Sequence, residues 1–349
     1  MRVRIHVLNH HFWPDGSPSA VLVEELADSL REMGHDTVLV AGSGSFHEVQ
    51  RPAPASPVFR LTSGESGKRH SQVAILRDYW LFWKAATTYI RDNVRDGDGI
   101  LATSSPFLNV FLVRLLRRSG KRTFTMFNLQ DYLPSNLRSL SVLHRLAAPF
   151  LKLVTDHYLR QWDLVLPCAG NIAYSGPNRV VARFWPTITK PAGRTVDTTS
   201  KTALYAGNLG IAHDTDALAE EVERLHDDGF QIDFYCDGPG LDKMPSYVRR
   251  HPFASGSDYV DVLYSHPVHL VCGVRRDGTG AFPSKTMNSL YIGAEVRPCG
   301  FQPEMMAELE HLRTQTDLSE NRTYAARLVD AILRSPRARH PGTPRRATR

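Results

Sequence analysis

Cysteine is scarce in this sequence: four occur among 349 residues, at positions 168, 236, 272 and 299. They form no CxxC pair and have no histidine at the spacing of a zinc site. Isolated cysteines in apolar segments are usually reduced core residues. In addition, no Asp-x-Asp motif is suited to a diphosphate. The sequence therefore predicts no metal site and no cofactor.

Long hydrophobic runs are also absent, since no apolar stretch reaches the ~20 residues that a membrane-spanning helix needs. The N-terminus, MRVRIHVLNHHF, contains histidines and an asparagine where a secretory signal needs a clean apolar segment. We therefore expect a cytoplasmic chain. The hydrophobic fraction of 42% is ordinary for globular proteins and allows two domains of similar size.

Acidic residues are missing from the C-terminal tail, where residues 334–349 hold six arginines. Residues 1–190 carry 23 Lys and Arg against 15 Asp and Glu, whereas residues 191–333 carry 13 against 21. The net charges are thus +8 and −8. A basic first half suggests an anionic partner there, while the Pro/Arg-rich segment 336–349 is expected to be disordered and solvated. No nucleic-acid partner is expected.

Strand-like and helix-like segments alternate along the chain. The opening reads as the strand RVRIHVL, a polar loop, the helix AVLVEELADSLREMG and the strand DTVLVAG. The alternation continues to a predicted strand NRVVARF (178–184), stops over the polar segment 186–201, and then restarts. This pattern predicts an α/β protein with two Rossmann-like βαβ domains that face a central cleft.

We place the first domain at residues 1–187 and the second at 188–318. A helix at 319–335 is expected to pack back on the first domain, and the tail follows. Ligands of open parallel sheets bind at the carboxyl ends of the strands, so both domains are expected to contribute loops to the cleft.

Three loops of the second half suit a phosphate-containing ligand. The first, GNLGIAHDTD, combines glycines with the start of a helix, although His213 and Asp214 also suit a plain cap. The second is CDGPG, for which a turn is the default interpretation. The third is FPSKTMNSLYIG, where Pro283 and Ser284 favour a helix start beside Lys285. A phosphate is the expected partner of this lysine; the alternative is an exposed surface lysine.

Three loops of the first half also follow predicted strands: NHHFWPDGSPS, SSPFLN and NLQDYLPSN. Asp131 comes directly after a strand, where a catalytic or hydroxyl-binding acid belongs, but it equally suits a helix N-cap. His10 and His11 are candidate ligand-binding residues, or structural residues beside the first strand. The other candidates in these loops are Asp15, Gly16 and Ser105, and these loops are the ones that would face an acceptor if the resemblance described next holds.

Taken together, these segments resemble glycosyltransferases of the GT-B fold, in particular the large retaining family with a PSK-type subgroup. The pieces PDGSPSAVLVEELADSLREMGHD, SSPFLN, LQDYLP, YAGNLG, DGPG and PSKTMN occur in family order over most of residues 1–300. The resemblance implies a nucleotide-sugar donor in the second domain and an acceptor in the first. The implied donor residues are Gly207, Asn208, Gly210 and His213 near the diphosphate, Asp237 and Gly238 near the base, and Ser284, Lys285 and Asn288 for phosphate and ribose.

The sequence departs from that family at several positions. Asn208 and His213 stand where many members have an Arg and a Lys. Gly280 and Asn288 stand where many have two glutamates, and Cys236 replaces a usual glycine. We interpret the chain as a variant of the family.

The resemblance implies transfer of a sugar, with retention, from a nucleoside-diphosphate sugar to a hydroxyl, with Lys285 and Asp131 as the catalytic candidates. A sugar-nucleotide epimerase of the same fold and a non-catalytic GT-B partner protein are the alternatives. The acceptor is a lipid-linked precursor or a soluble small molecule. The amphipathic segment SVLHRLAAPFLKLVTDHYLRQW suits peripheral contact with a membrane, or else packs within the domain.

Overall fold

The computed structural model describes residues 2–42, 52–61, 72–138, 142–210, 213–274 and 280–334. The predicted tail at 336–349 lies outside them. The strands of the first domain are β1 (Arg4–Asn9), β2 (Asp36–Ala41), β3 (Val58–Arg60), β4 (Gly99–Thr103), β5 (Phe124–Leu129) and β6 (Leu164–Pro167). Over the described ranges they form one parallel sheet in the order β3-β2-β1-β4-β5-β6.

The helices that connect these strands are α1 (Pro18–Glu32), α2 (Gln72–Asn93), α3 (Leu112–Arg118), α4 (Leu133–Arg138) and α5 (Val142–Leu159). Strands β4 and β5 are buried along their whole length, which is why they appear in the sequence as nearly continuous apolar runs. Helix α1 instead buries one stripe, which includes Leu22, Leu26 and Leu30. The sequence thus folds the first half into a doubly wound layer arrangement.

The second domain repeats this arrangement on a smaller scale. Its strands are β7 (Thr202–Ala206), β8 (Gln231–Tyr235), β9 (Arg249–His251), β10 (Val268–Cys272) and β11 (Glu295–Cys299), and its helices include α6 (Thr215–Asp227), α7 (Gly256–Tyr264) and α8 (Lys285–Ile292). The sheet is parallel in the order β11-β10-β7-β8-β9. Two Rossmann-like domains, as predicted, are therefore confirmed.

The last two helices, α9 (Pro303–Arg313) and α10 (Glu320–Arg334), return to the first domain. Met305 and Leu309 of α9, and Val329 and Leu333 of α10, belong to the same core cluster as β1 and β4. At this contact, the buried His35 places its Nε2 2.8 Å from the Asp330 carboxylate. The core of the first domain is thus completed by residues from the end of the chain.

The prediction of a strand at 178–184 is wrong. The segment runs beside β6, and the amides of Val180 and Ala182 donate to the carbonyls of Val165 and Pro167. Only one isolated bridge forms, between Val165 and Arg179. The sequence analysis also missed β3 and β9, which are three residues long and partly exposed, so they have little apolar pattern. Among the described residues, no helix is long and apolar enough to cross a membrane.

Leu333→Ala tests the contribution of α10 to the first domain. Leu333 is buried and packs near Gly99 of β4. We expect the free energy of unfolding to fall by ~2–5 kcal/mol, because the substitution leaves a cavity in the core. Denaturant unfolding measures this loss. Tyr324→Ala on the exposed side of α10 is the control, with a change within ~0.5 kcal/mol; equal effects of the two would mean that α10 is not part of the core.

Candidate active site

Three loops of the second domain meet at the carboxyl edge of neighbouring strands β10, β7 and β8. They are residues 207–210 after β7, residues 236–240 after β8, and the start of α8, which follows β10. The first two loops are joined by backbone hydrogen bonds: Leu209 N to Asp237 O at 2.8 Å and Gly240 N to Leu209 O at 3.0 Å. The predicted donor residues of the first two loops are thus brought together, with the start of α8 beside them at the same edge of the sheet.

Glycine is required at two positions because the loops approach so closely. Gly238 has φ of 119°, and a Cβ there would lie 2.6 Å from both Asn208 Oδ1 and Leu209 O. Gly207 has φ of 118°, and its Cβ would lie 3.2 Å from Lys285 Nζ. Any side chain at Gly207 would therefore be strained and would crowd the lysine. Asn208 and Asp237 are exposed at the rim.

The ammonium group of Lys285 is buried at the centre of these loops. Its Nζ has no hydrogen-bond partner among the described residues, and lies 3.8 Å from the centroid of the Tyr205 ring. The ring face stabilises the cation partly, but no carboxylate in the described part of the chain pairs with it. Among the described residues, the Lys285 ammonium therefore has no counter-charge.

Burial shifts the protonation of this cluster. Desolvation lowers the pKa of Lys285 to about 8, so that most molecules keep the ammonium charge at pH 7. Desolvation, and then the charge of Lys285, lower the pKa of His213 to about 4. Its ring Nδ1 lies 3.2 Å from Gly210 O. His213 is therefore neutral at pH 7 and leaves Lys285 as the cation of the cluster.

Helix α8 begins beside the ammonium. Ser284 is its N-cap residue, but its hydroxyl makes no capping hydrogen bond. The amide of Thr286 donates to Pro283 O, and that of Met287 donates to Ser284 O. The amides of the preceding residues belong to the first turn, which has no intrahelical acceptors. Together with the helix dipole, they favour an anion at the start of α8.

Asn288 is buried and already bonded. Its Oδ1 accepts from Thr187 N at 2.8 Å, and its Nδ2 donates to Thr187 Oγ1 at 3.1 Å and Tyr259 OH at 3.4 Å. A contact with ribose would require these bonds to break. In this structure the side chain instead fixes the segment between the domains to α8.

The loop after β1 is stabilised by contacts among its own buried side chains. His10 and His11 are buried, with His10 Nδ1 3.3 Å from His11 Nε2, and His11 Nδ1 lies 3.4 Å from the Asp15 carboxylate. The fully buried Asp15 also accepts from Ser17 N at 2.7 Å. These predicted acceptor residues therefore hold the loop in shape, while Gly16 is half-exposed at its surface.

The loops after β1, β4 and β5 are also tied together. His10 N donates to Ser105 O at 2.9 Å. Ser104, which sequence reasoning did not single out, accepts the amides of Gln130 and Asp131, each at 3.0 Å. Its signal was present in SSPFLN, where two serines follow a strand. The half-exposed Ser105 and the exposed Asp131 thus share one edge of the first sheet.

Asp131 lies where the two domains meet. The next residue, Tyr132, donates its amide to Gly280 O at 2.6 Å. Protein surrounds the Asp131 carboxylate at the cleft, and this desolvation raises its pKa, while a hydrogen bond with Asn136 acts in the opposite direction. A carboxylate of raised pKa in a cleft is a candidate functional group.

Solved structures share this arrangement over nearly the whole chain. Sucrose-phosphate synthase from Thermosynechococcus elongatus matches with a TM-score of 0.59 at 14% identity, covering 95% of this chain and 96% of the other. The catalytic domain of starch synthase IV from Arabidopsis thaliana, bound to ADP and acarbose, matches with a TM-score of 0.57 at 10% identity, covering 96% and 95%. The fold is GT-B.

A UDP-N-acetylglucosamine 2-epimerase from Rickettsia bellii is also similar, with a TM-score of 0.53, 12% identity and 96% coverage of each chain. No protein-family model and no curated protein matches the sequence. The GT-B likeness therefore establishes the architecture and the position of the cleft, while the chemistry has to be argued from the side chains.

Within the GT-B cleft, close contact with Asn136 explains why residue 280 is a glycine. It is buried, and a Cβ there would lie 1.8 Å from Asn136 Oδ1 and 2.9 Å from Asn136 N. The position where the resembled family often carries a glutamate is thus filled by a side chain of the other domain. The carboxylate that this chain presents nearby is Asp131, at the end of β5.

Lys285→Met tests whether the ammonium is a destabilising charge. Since its pKa is lowered to about 8, the charged lysine disfavours the folded state below that pH, and this effect disappears as the pH rises through 8 towards 10.5. At pH 7 we expect the ligand-free variant to be more stable than the parent by ~1–3 kcal/mol, with the difference closing by pH 10. Chemical denaturation at both pH values measures it.

The exposed Lys190→Met is the matched control and should change stability by less than ~0.5 kcal/mol at either pH. A destabilised Lys285→Met variant at pH 7 would show that the lysine has a stabilising partner and would contradict this description of the site.

Proposed function

We propose that this protein is a glycosyltransferase that moves a sugar from a nucleoside-diphosphate sugar to a hydroxyl group, with retention. One observation carries the proposal: a buried ammonium, Lys285 Nζ, stands without an anion between two glycine loops and a helix start. A diphosphate supplies the missing charge and accepts hydrogen bonds from the first-turn amides. The GT-B architecture supports placing the acceptor across the cleft.

In the proposed reaction, the bond between the sugar C1 and the diphosphate oxygen breaks, and its electron pair remains on the phosphate. The acceptor hydroxyl oxygen forms the new bond to C1, and the hydroxyl proton passes to the departing phosphate oxygen. The positive charge of Lys285 and the dipole of α8 stabilise the charge that develops there. The interaction grows stronger as the bond breaks, so it lowers the barrier and not only the dissociation constant of the donor.

The acceptor side is assigned to the first domain. Asp131 projects at the cleft edge and is positioned to hold a hydroxyl of the sugar or the acceptor. Gly16 and Ser105 provide the accessible surface beside it, and the buried His11 and Asp15 fix their loop. The acceptor belongs to one of two classes, a lipid-linked precursor or a soluble small molecule.

An epimerase is the second candidate, because a solved sugar-nucleotide 2-epimerase has the same fold. Such an enzyme needs acids and bases around the sugar, but His10 and His11 are buried in the loop core. Release of nucleoside diphosphate that depends on an acceptor supports transfer, whereas a changed sugar without acceptor supports epimerisation. Nucleotide binding with neither outcome identifies a non-catalytic partner protein.

The first test is a thermal-shift panel of UDP, GDP and TDP, followed by titration of the best ligand from pH 7 to 9. Binding raises the melting temperature by mass action. We expect affinity to fall above pH 8, because free Lys285 loses its proton there while the diphosphate stays ionised. Lys285→Met should weaken binding by ~1.5–3 kcal/mol at pH 7 and should remove the pH dependence.

Lys285→Arg separates charge from shape. Arginine keeps its charge throughout this pH range, so whatever affinity the variant retains should not fall between pH 7 and 9. Unchanged binding by Lys285→Met, or the same pH profile in the arginine variant, would remove Lys285 from the diphosphate site.

Asp131→Asn tests the acceptor side. The amide keeps the size of the side chain and removes its charge, so we expect turnover to fall by about 10²-fold or more while the nucleotide dissociation constant stays within about twofold. Initial rates of nucleoside-diphosphate release and a binding titration provide the two numbers. A loss of nucleotide affinity equal to the loss of turnover would place Asp131 on the donor side instead.

A further inference from the structure

Helix α5 exposes an apolar stripe to solvent. Leu143, Leu146, Phe150 and Leu153 are each 72–75% exposed. At 100° per residue, these four positions fall within about 80° of arc on one side of the helix. The opposite side packs inward through residues that include Ala148 and Leu159. The apolar stripe of α5 therefore does not pack into the core of its own domain.

The exposed charged side chains on α5 and directly after it are basic. Arg145 is exposed on α5 and Arg160 is exposed just after its end, whereas the single acid of residues 143–160, Asp156, is buried and bonded to Lys152 Nζ at 2.7 Å and Tyr132 OH at 2.6 Å. Lys152 is therefore neutralised, while both arginines remain available to an anionic surface. An apolar stripe flanked by cations is typical of helices that lie in a lipid interface.

Helix α2 extends the same surface. Leu76 is 66% and Trp80 51% exposed, with Arg77 and Lys84 exposed beside them. The strand order places α2, α3 and α5 on one face of the first sheet, because right-handed crossovers from β3 to β6 all run on that side. Contacts of α2 and α5 with the 3₁₀ turn at Phe107–Phe111 keep the helices together.

The surface lies at the cleft end of the domain. Helices of a βαβ unit run antiparallel to the strands, so the first turns of α2 and α5 are at the carboxyl edge of the sheet. Asp131 is at that same edge, and Tyr132 is hydrogen-bonded to Asp156 of α5. We call the exposed side chains of Leu76, Trp80, Leu143, Leu146, Phe150 and Leu153 the apolar face.

We propose that the apolar face docks on the surface of an anionic lipid bilayer. The charge distribution decides between the occupants. A second copy of the chain, related by a twofold axis, would set Arg77 and Arg145 against the same cations, and like charges oppose each other. An anionic headgroup layer instead pairs with these cations while the leucines and Phe150 enter the acyl boundary.

The test uses the full chain with vesicles of phosphatidylcholine, with and without about 30% phosphatidylglycerol. We expect co-sedimentation with the anionic vesicles and a blue shift of tryptophan emission that Trp80→Phe reduces. Leu146→Glu with Phe150→Glu should lower partitioning about tenfold or more, because both side chains would otherwise enter the lipid. Arg77→Glu with Arg145→Glu should remove the preference for phosphatidylglycerol.

The matched control is Tyr324→Glu, an exposed aromatic residue on α10, which packs against α1 away from the apolar face. It should partition as the parent does, and all variants should keep the parent's melting temperature because the changed side chains are exposed. Absence of sedimentation with anionic vesicles overturns the proposal. So does a dimer in size-exclusion chromatography that the Leu146/Phe150 variant dissociates, or equal binding by that variant.

If the proposed transferase function holds, lipid docking also selects the lipid-linked class of acceptor, because the face and Asp131 share one edge of the domain. That consequence rests on the proposed function, whereas vesicle binding does not. Nucleotide binding by the Leu146/Phe150 variant separates the two: it should equal that of the parent. If the variant no longer binds vesicles but still binds nucleotide, lipid binding and nucleotide binding are located in different domains.

Discussion

One buried positive charge organises the second domain. Lys285 Nζ has the face of Tyr205 on one side and the backbone of Gly207 on another, and no hydrogen-bond acceptor among the described residues. An ammonium in such a place destabilises the fold unless a ligand compensates it. The glycine at 207 follows from this, since a Cβ there would lie 3.2 Å from Lys285 Nζ, whereas Gly238 is required by its approach to Asn208 and Leu209.

The connection between the domains depends on the chain around this same lysine. Gly280 accepts the amide of Tyr132, Ala281 O accepts from Asn171 Nδ2 at 2.9 Å, and Asn288 holds Thr187. These contacts lie just before Lys285 and one turn after it. The segment around Lys285 is therefore joined to the first domain by one backbone bond, at Tyr132 beside Asp131, and by two asparagine side chains.

Much of this architecture follows from local patterns. The βα alternation, the glycines at strand ends and the isolated Lys285 were visible because each reflects a backbone or charge requirement of a few neighbouring residues. The burial of individual polar side chains could not be predicted from the sequence. Asp15 contacts His11, and Asn288 is bonded to Thr187, inside the fold, and a sequence does not distinguish such internal pairing from ligand binding. The direction of the apolar stripe of α5 was equally undetermined, because the same periodicity serves a core or a lipid surface.

The opposite net charges of the two halves of the chain can be related to the positions of Lys285 and of the apolar face. Residues 191–333 carry a net charge of −8, so the proposed diphosphate would approach this domain against an unfavourable field and would depend on the local field of Lys285 and α8. Residues 1–190 carry +8, and part of that charge borders the apolar face. Opposite long-range fields would therefore act on the two proposed ligands. The basic half would attract an extended anionic surface, whereas a small anion would bind in the acidic half only where one desolvated ammonium overcomes the field around it.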